Sequence, residues 1–260
     1  ISTGAFLLGS LLSAVANGTP LITTRDRLEP LPNNASGLEK MYQPVMDFDT
    51  DGCYAAAAIS PSGSINGGQL AGARPESDCR HNGALFQSNV YSRARCNNGW
   101  CAIMYEYYFE KDQMMLGSLL GGHRHDWENT VVFVDMKENK VKRVSPSCHD
   151  KYEKPTHSPQ MFNSHPKVVY HKHEGRTHCI RNANVDDDKN IENHTKGWFQ
   201  GKLVGWEGWP HQWMRDTVTN GWTWSRDGGI RPKFGDRDFA DRLAKAAGDG
   251  VPGFDPNVDG

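Results

Sequence analysis

Between Ala102 and Phe109 the chain alternates so that Ile103, Tyr105, Tyr107 and Phe109 fall on one face of an extended strand. Asn129-Thr130-Val131-Val132-Phe133-Val134 is apolar and β-branched, which predicts a buried strand. Val141–Val144 follows across Lys137-Glu138-Asn139-Lys140, and the spacing predicts a hairpin. Val168-Val169-Tyr170 and Lys202-Leu203-Val204 add two short strands. Helical periodicity is clear only near the end, where Phe239, Leu243 and Ala246 share a face and Asp236 or Asp238 can cap the first turn. Residues 17–46 read as a polar, Pro-bearing segment that wraps the domain, and residues 249–260 as a loose Gly/Pro/Asp tail. Many short strands, irregular loops and few helices predict a mainly β fold, an antiparallel β-sandwich flanked by a few helices. No repeat or linker divides the chain, so one domain is expected over residues 17–260.

The apolar run from Ala5 to Ala16 reads as the remnant of a secretory signal peptide, residues 1–16, and is shorter than the roughly 20 residues a membrane span needs. Export is also suggested by three sequons, at Asn17, Asn34 and Asn193. With 29 basic and 31 acidic residues and a net charge of −2, the chain lacks the positive field that nucleic acid or anionic lipid would require. Six cysteines fit an oxidising compartment, and none sits in a zinc-knuckle pattern. Short closures need the least chain organisation, which favours the sequential pairing Cys53–Cys79, Cys96–Cys101 and Cys148–Cys179 over a metal or redox role for the thiols.

The densest chemistry lies at Gly122-His123-Arg124-His125-Asp126-Trp127-Glu128, immediately before the buried strand. Strict alternation would point His123, His125 and Trp127 one way and Arg124, Asp126 and Glu128 the other. A bend at Gly121-Gly122 could carry His123 to the carboxylate side. Together with Asp112, the carboxylates would then make an oxygen-rich pocket suited to Ca²⁺ or Mg²⁺ rather than Zn²⁺. Two other readings stay open: an Arg124–carboxylate pair with a histidine satisfied by backbone, and acid–base catalysis by His123 with Asp126 or Glu128. Asp47-Phe48-Asp49-Thr50-Asp51-Gly52 copies the start of an EF-hand loop, but the twelfth position is Ala58, so an acidic turn is the better reading. Six of the eight tryptophans fall between residues 198 and 224, of which one or two are expected at a binding surface. Eight histidines between residues 149 and 211 have a spacing that fits no ligand template. Protease, lipase and nucleotide-hydrolase motifs are absent from the sequence.

The heptapeptide 122–128 resembles the signature of the necrosis- and ethylene-inducing protein-like family, secreted cytolysins of plant-associated microbes. A second block, Ala102-Ile103-Met104-Tyr105 through Lys111-Asp112-Gln113, is similar to the family strand that ends in an acidic turn. Likeness runs from Asp47 to Asp236. The resemblance implies a β-sandwich like that of actinoporins and some fungal lectins, and a divalent cation, Ca²⁺ or Mg²⁺, in an acidic cleft. It further implies recognition of glycosylated inositol phosphoceramides of plant plasma membranes by a secreted, non-enzymatic, monomeric toxin. Asp112 and Asp126 would be direct ligands; His123 and Glu128 would hold the cation's waters and the sugar. His123, Asp126 and Glu128 would thus contact the headgroup, with Arg124 and Trp127 as framework. Cys53–Cys79 would be the bridge shared with simpler members.

The segment from Gln113 to Gly121 is longer and more apolar than the family pattern. Its Met114, Met115, Leu116, Leu119 and Leu120 are either tucked inward or form a membrane-contacting rim, with Met115 and Leu119 the leading candidates. The alternatives kept beside the toxin reading are a lectin-like binder and a metal-dependent hydrolase of cell-wall polysaccharide or nucleic acid. In the hydrolase, His123 would be the base and Asp126 and Glu128 would sit on the metal.

Overall fold

The computed structural model describes residues 27–118, 120–225 and 230–259. The signal-peptide reading, the Asn17 sequon and Leu119 therefore lie outside the described residues.

Chain entry is fixed by α1 (Gly37–Tyr42), whose capping box is Ser36 with Glu39: each side chain accepts from the other's backbone N–H. Strands β1 (Val45–Phe48), β2 (Asn89–Asn97), β3 (Trp100–Asp112), β4 (His123–Asp135), β5 (Lys140–Pro146), β6 (Met161–Phe162), β7 (His165–Lys172), β8 (His178–Asn182) and β9 (Lys202–Gly205) follow. Helices α2 (Gln212–Asp216) and α3 (Phe239–Ala247) close the chain. The large sheet runs β5-β4-β3-β2-β9; in the smaller one β7 pairs with β1, β6 and β8. Most pairs are antiparallel as expected, but β1–β7 and β2–β9 are parallel. Both involve strands whose connections are long enough to cross over.

The expected strand 102–109 is the middle of β3, and it is buried on both faces. Ile103, Tyr105, Tyr107 and Phe109 meet Phe48, Val168, Tyr170 and Ile180 of the small sheet. Ala102, Met104 and Tyr108 instead pack under Trp209, Met214, Trp224, Phe239 and Leu243. A small sheet on one side and helices on the other explain why the run is so continuously apolar.

The β4–β5 hairpin turns where expected, with Asp135 Oδ1 accepting from the backbone N–H of Lys137 and Glu138. Strand β2 was not anticipated, although its signal is present: Asn98-Gly99, with φ of 48° and 82°, joins Asn97 to Trp100 in a two-residue hairpin turn. The three expected disulfides form, and no described cysteine is free.

Three expectations need correction. The tail is not loose: Val251 is buried, Trp100 Nε1 donates to Pro252 O (3.1 Å), and Asn97 Nδ2 donates to Asp255 O (2.7 Å). Asp238 occupies the cap position of α3 but does not cap it; both its oxygens accept from Arg231 at 2.9 Å. Asn193 is buried, its amide donating to Asp47 Oδ1 and Gly197 O, so this sequon offers no free nitrogen once the chain is folded. No described helix is long and apolar enough to cross a membrane.

Candidate functional site

Antiparallel pairing of β3 with β4 sets Asp112 opposite His123, Phe109 opposite Asp126 and Tyr107 opposite Glu128. Strict alternation would leave His123 on the face away from Asp126. The break lies at His125, whose φ is +60°, and not at Gly121-Gly122 as expected. Arg124 and His125 are consecutive, yet both lie against Gly68: a β-carbon there would fall 2.6 Å from His125 Cε1 and 2.7 Å from Arg124 Cγ. Two successive side chains share one side, so His123 joins Asp126 and Glu128 on the other. Gly68, itself at φ +61°, is the residue that leaves room for this step.

The result is a cleft of about 180 Å³ whose lining includes Asp112, His123, Asp126, Glu128, His149 and His178, together with the basic Arg231 and Lys233. One ligand atom each from Asp112, His123 and Asp126 lies within 4.8 Å of the other two. Glu128 stands in the same wall but accepts a short hydrogen bond from Ser147 Oγ. His123 donates from Nδ1 to the carbonyl of His125 (2.8 Å), so that in the neutral ring Nε2 is the acceptor nitrogen.

All three carboxylates are buried. Burial and the neighbouring Asp112 charge push the Asp126 carboxyl up to about 7, while His123, Trp127 N–H and Tyr170 OH (3.3 Å) pull the other way. Burial and Asp126 likewise hold Glu128 well above the usual carboxylate range. A buried acidic group with too little compensating charge is what a divalent cation would stabilise. Asp112 is better satisfied, receiving Gln113 N–H (2.6 Å), His178 N–H (2.8 Å) and His178 Nδ1 (2.7 Å). His178 also donates from Nε2 to Asp51 (3.0 Å). Burial opposes a charged imidazole here, but the bonds to Asp112 and Asp51 outweigh it and raise His178 to about 9. Behind it, Tyr170 stacks on both Phe109 (3.8 Å) and His178 (5.1 Å).

The structure thus brings Asp112, His123, Asp126 and Glu128 into one cleft. It adds His178, Asp51, Tyr170 and Ser147, which sequence reasoning did not select. Asp51 comes from the false EF-hand start; Asp47 of that segment accepts from Glu192 and Asn193 instead. Arg124 donates to Gly67 O (3.0 Å), and Trp127 packs in the core while also contributing to the cleft lining.

Residues 113–122 join Asp112 directly to His123. In that loop Met115 (55% exposed), Leu116 (43%) and Leu120 (75%) face outward rather than inward. Leu70 (62% exposed) precedes Ala71, whose Cβ would lie 2.8 Å from a β-carbon on Gly122 at the end of that loop. Of the clustered tryptophans, Trp209 and Trp224 are buried while Trp213 and Trp222 are exposed.

Residues 36–246 match the family described as necrosis inducing protein (NPP1). An NLP effector protein of Phytophthora capsici, Pc107869, is 30% identical over 210 residues, 79% of this chain and 55% of the relative. The chain spans about half the length of the curated relatives it matches. In three dimensions it is similar to necrosis and ethylene inducing protein 2 from the causal agent of cocoa's witches' broom disease: TM-score 0.68, 24% identity, 84% of this chain and 94% of that one. It is also similar to NLPPya, solved in complex with mannosamine: TM-score 0.66, 26% identity, 84% and 94% covered.

Proposed function

The chain belongs to the necrosis inducing protein (NPP1) family, and from that premise we propose that it is a secreted cytolytic toxin, not an enzyme, that permeabilises plant plasma membranes after docking on a sugar headgroup. The headgroup class is a glycosylated inositol phosphoceramide, and the protein arrives as a monomer. The observation that carries the reading is the convergence of buried Asp112 and Asp126 with half-buried His123 in one cleft, where burial pushes the Asp126 carboxyl up. Hard oxygen donors with a single imidazole fit Ca²⁺ or Mg²⁺ better than a thiophilic metal. Asp112 and Asp126 would hold the cation, which when bound supplies a positive centre for sugar hydroxyls and lowers the cost of the buried carboxylates. His123 Nε2 and Glu128 would orient water or sugar hydroxyls. The His178–Asp51 pair fixes Asp112 so that its ligand geometry is not lost when the cleft opens to a headgroup.

Near-neutral charge leaves little electrostatic attraction to lipid. Docking energy therefore comes from the cleft, and the exposed Met115, Leu116, Leu120 and Leu70 meet the bilayer once docking holds them there. Export is supported by three disulfides and by effector relatives. A complex of the similar NLPPya with mannosamine supports sugar as the ligand class.

The test is dye leakage from plant plasma-membrane vesicles, with EDTA and after Ca²⁺ is restored. Leakage should disappear with chelator and return with Ca²⁺. Leakage indifferent to chelator would reject the cation role, and released sugar or nucleotide product would favour a hydrolase.

A further inference from the structure

A second side-chain cluster lies across the wall from the acidic cleft. Cys148 and His149 are adjacent after β5, and His173 and Cys179 flank the β7–β8 turn. One ligand atom from each of these four residues lies within 4.8 Å of all the others. The His149 and His173 rings are 5.3 Å apart, and His149 Nε2 and His173 Nδ1 are both buried without a hydrogen-bond partner. A buried, unpaired ring nitrogen costs stability, and two on neighbouring rings beside two sulfurs call for an explanation. His171 Nε2 approaches Cys179 Sγ at 3.8 Å, and a small pocket of about 90 Å³ is lined by His171, Glu153 and Lys154 together with half-buried Cys148 and fully buried Cys179.

In the oxidised protein the sulfurs are spent on each other. Reduced, the same four groups are a Cys₂His₂ set. A tetrahedral zinc ion with Zn–S of about 2.3 Å and Zn–N of about 2.0 Å would need only a small closure of the cluster. We propose that Cys148, His149, His173 and Cys179 form a zinc site gated by the Cys148–Cys179 disulfide. A dithiol reductant donates an electron pair to the S–S bond and is itself oxidised to a disulfide, and its two protons end on Cys148 and Cys179 Sγ. Zinc then displaces both protons and binds the two thiolates and the two free imidazole nitrogens. The metal replaces the covalent link between the 148–149 turn and the β7–β8 hairpin. Because His149 also lines the acidic cleft, that wall stays tethered when the bond is broken.

Thiol footprinting on the unmutated chain tests this. The protein is reduced with a dithiol, freed of reductant, and alkylated with or without Zn²⁺, the six cysteines being mapped separately by peptide mass. At free zinc about 100 times its Kd, the unbound fraction falls to about 1%, so alkylation of Cys148 and Cys179 should slow by up to about a hundredfold. Cys53, Cys79, Cys96 and Cys101 should gain no protection. Equal alkylation of all six, or equal protection of all six, overturns the proposal. Independently, Co²⁺ should give a thiolate charge-transfer band in the reduced protein and none in the oxidised one. His149→Ala/His173→Ala, which keeps the disulfide and so can be purified folded, should lose that band on reduction; a band of unchanged intensity would also overturn the site.

Discussion

His178 offers a test that does not require any membrane. Its imidazole is buried, opposes ionisation on that account, and is nevertheless raised from 6.5 to about 9 by Asp112 and Asp51. At about 1.4 kcal/mol for each tenfold change in proton affinity, that rise is worth about 3 kcal/mol of folded-state stability. The folded-state value is raised, so the contribution is fully present below pH 6.5 and is lost as pH climbs through 9. His178→Gln keeps a side chain of similar reach but cannot carry the charge. Urea unfolding of both proteins in EDTA, from pH 6 to pH 10, should show the largest stability gap at pH 6 to 6.5. The gap should shrink by about 3 kcal/mol by pH 10. Any remainder that is constant with pH measures lost packing against Tyr170. A gap that does not change between pH 6.5 and 9.5 would refute the charged Asp51–His178–Asp112 arrangement.

Asp126→Ala removes a buried carboxylate, so it should abolish vesicle leakage while near-ultraviolet circular dichroism stays native; normal lysis by the folded variant would reject the cleft. Because Asp126 is pushed up to about 7, protons compete with the cation, and Ca²⁺ affinity measured by calorimetry should fall by about tenfold for each pH unit below 7; a flat profile from pH 8 to 5.5 would contradict this. Gly68→Ala meets both a left-handed backbone and the His125 and Arg124 side chains. It should cost more than the roughly 1–2 kcal/mol of the backbone alone, seen as a lower urea midpoint. Met115→Asp should leave binding of soluble headgroup sugar within about twofold yet reduce leakage severalfold, since burying one such side chain in lipid is worth roughly 1.5–3 kcal/mol. Equal leakage would remove Met115 from the membrane contact.

How much of this was legible follows from the range of the interactions involved. The apolar runs at 102–109, 130–134 and 141–144 announce their strands because burial acts on each run locally. Strand β2 hides its pattern behind Ser92, Arg93 and Arg95, although Asn98-Gly99 marks its turn. Asp112, His123, Asp126 and Glu128 could be chosen because their two segments are neighbours joined by a single loop. His178 and Asp51 could not, since each enters from a strand or turn whose place is fixed only by the packing of two sheets, whereas Ser147 was within reach of the reading, because it extends the expected β4–β5 hairpin and pairs with Asn129. His125 shows a third kind of limit. Period-two alternation placed His123 wrongly because one residue at φ +60° resets the parity, and that residue is a histidine where a glycine would have been the visible sign. The tail misled for a related reason: its Gly, Pro and Asp residues bond through backbone carbonyls, which composition does not reveal.

The position of the apolar loop explains how the cleft and the rim can vary separately. Asp112 and His123 are paired across β3 and β4, and their register is set by the long ladder that begins at Trp100 and Asp135. Lengthening the loop between them costs only slowly growing closure entropy, and it adds residues beyond the paired ends. The cleft carboxylates are therefore held by the sheet and by His178, while Met115, Leu116 and Leu120 ride on a segment none of whose described residues is in the cleft lining. On the proposed function, substitutions in the loop would alter how deeply the protein engages a bilayer without moving Asp112 or Asp126. Substitutions at His178 would act in the opposite sense, disturbing the cleft and leaving the loop at 113–122 as it was. On this geometry, loss of lysis with intact headgroup binding and loss of both together are the signatures of two different parts of the molecule.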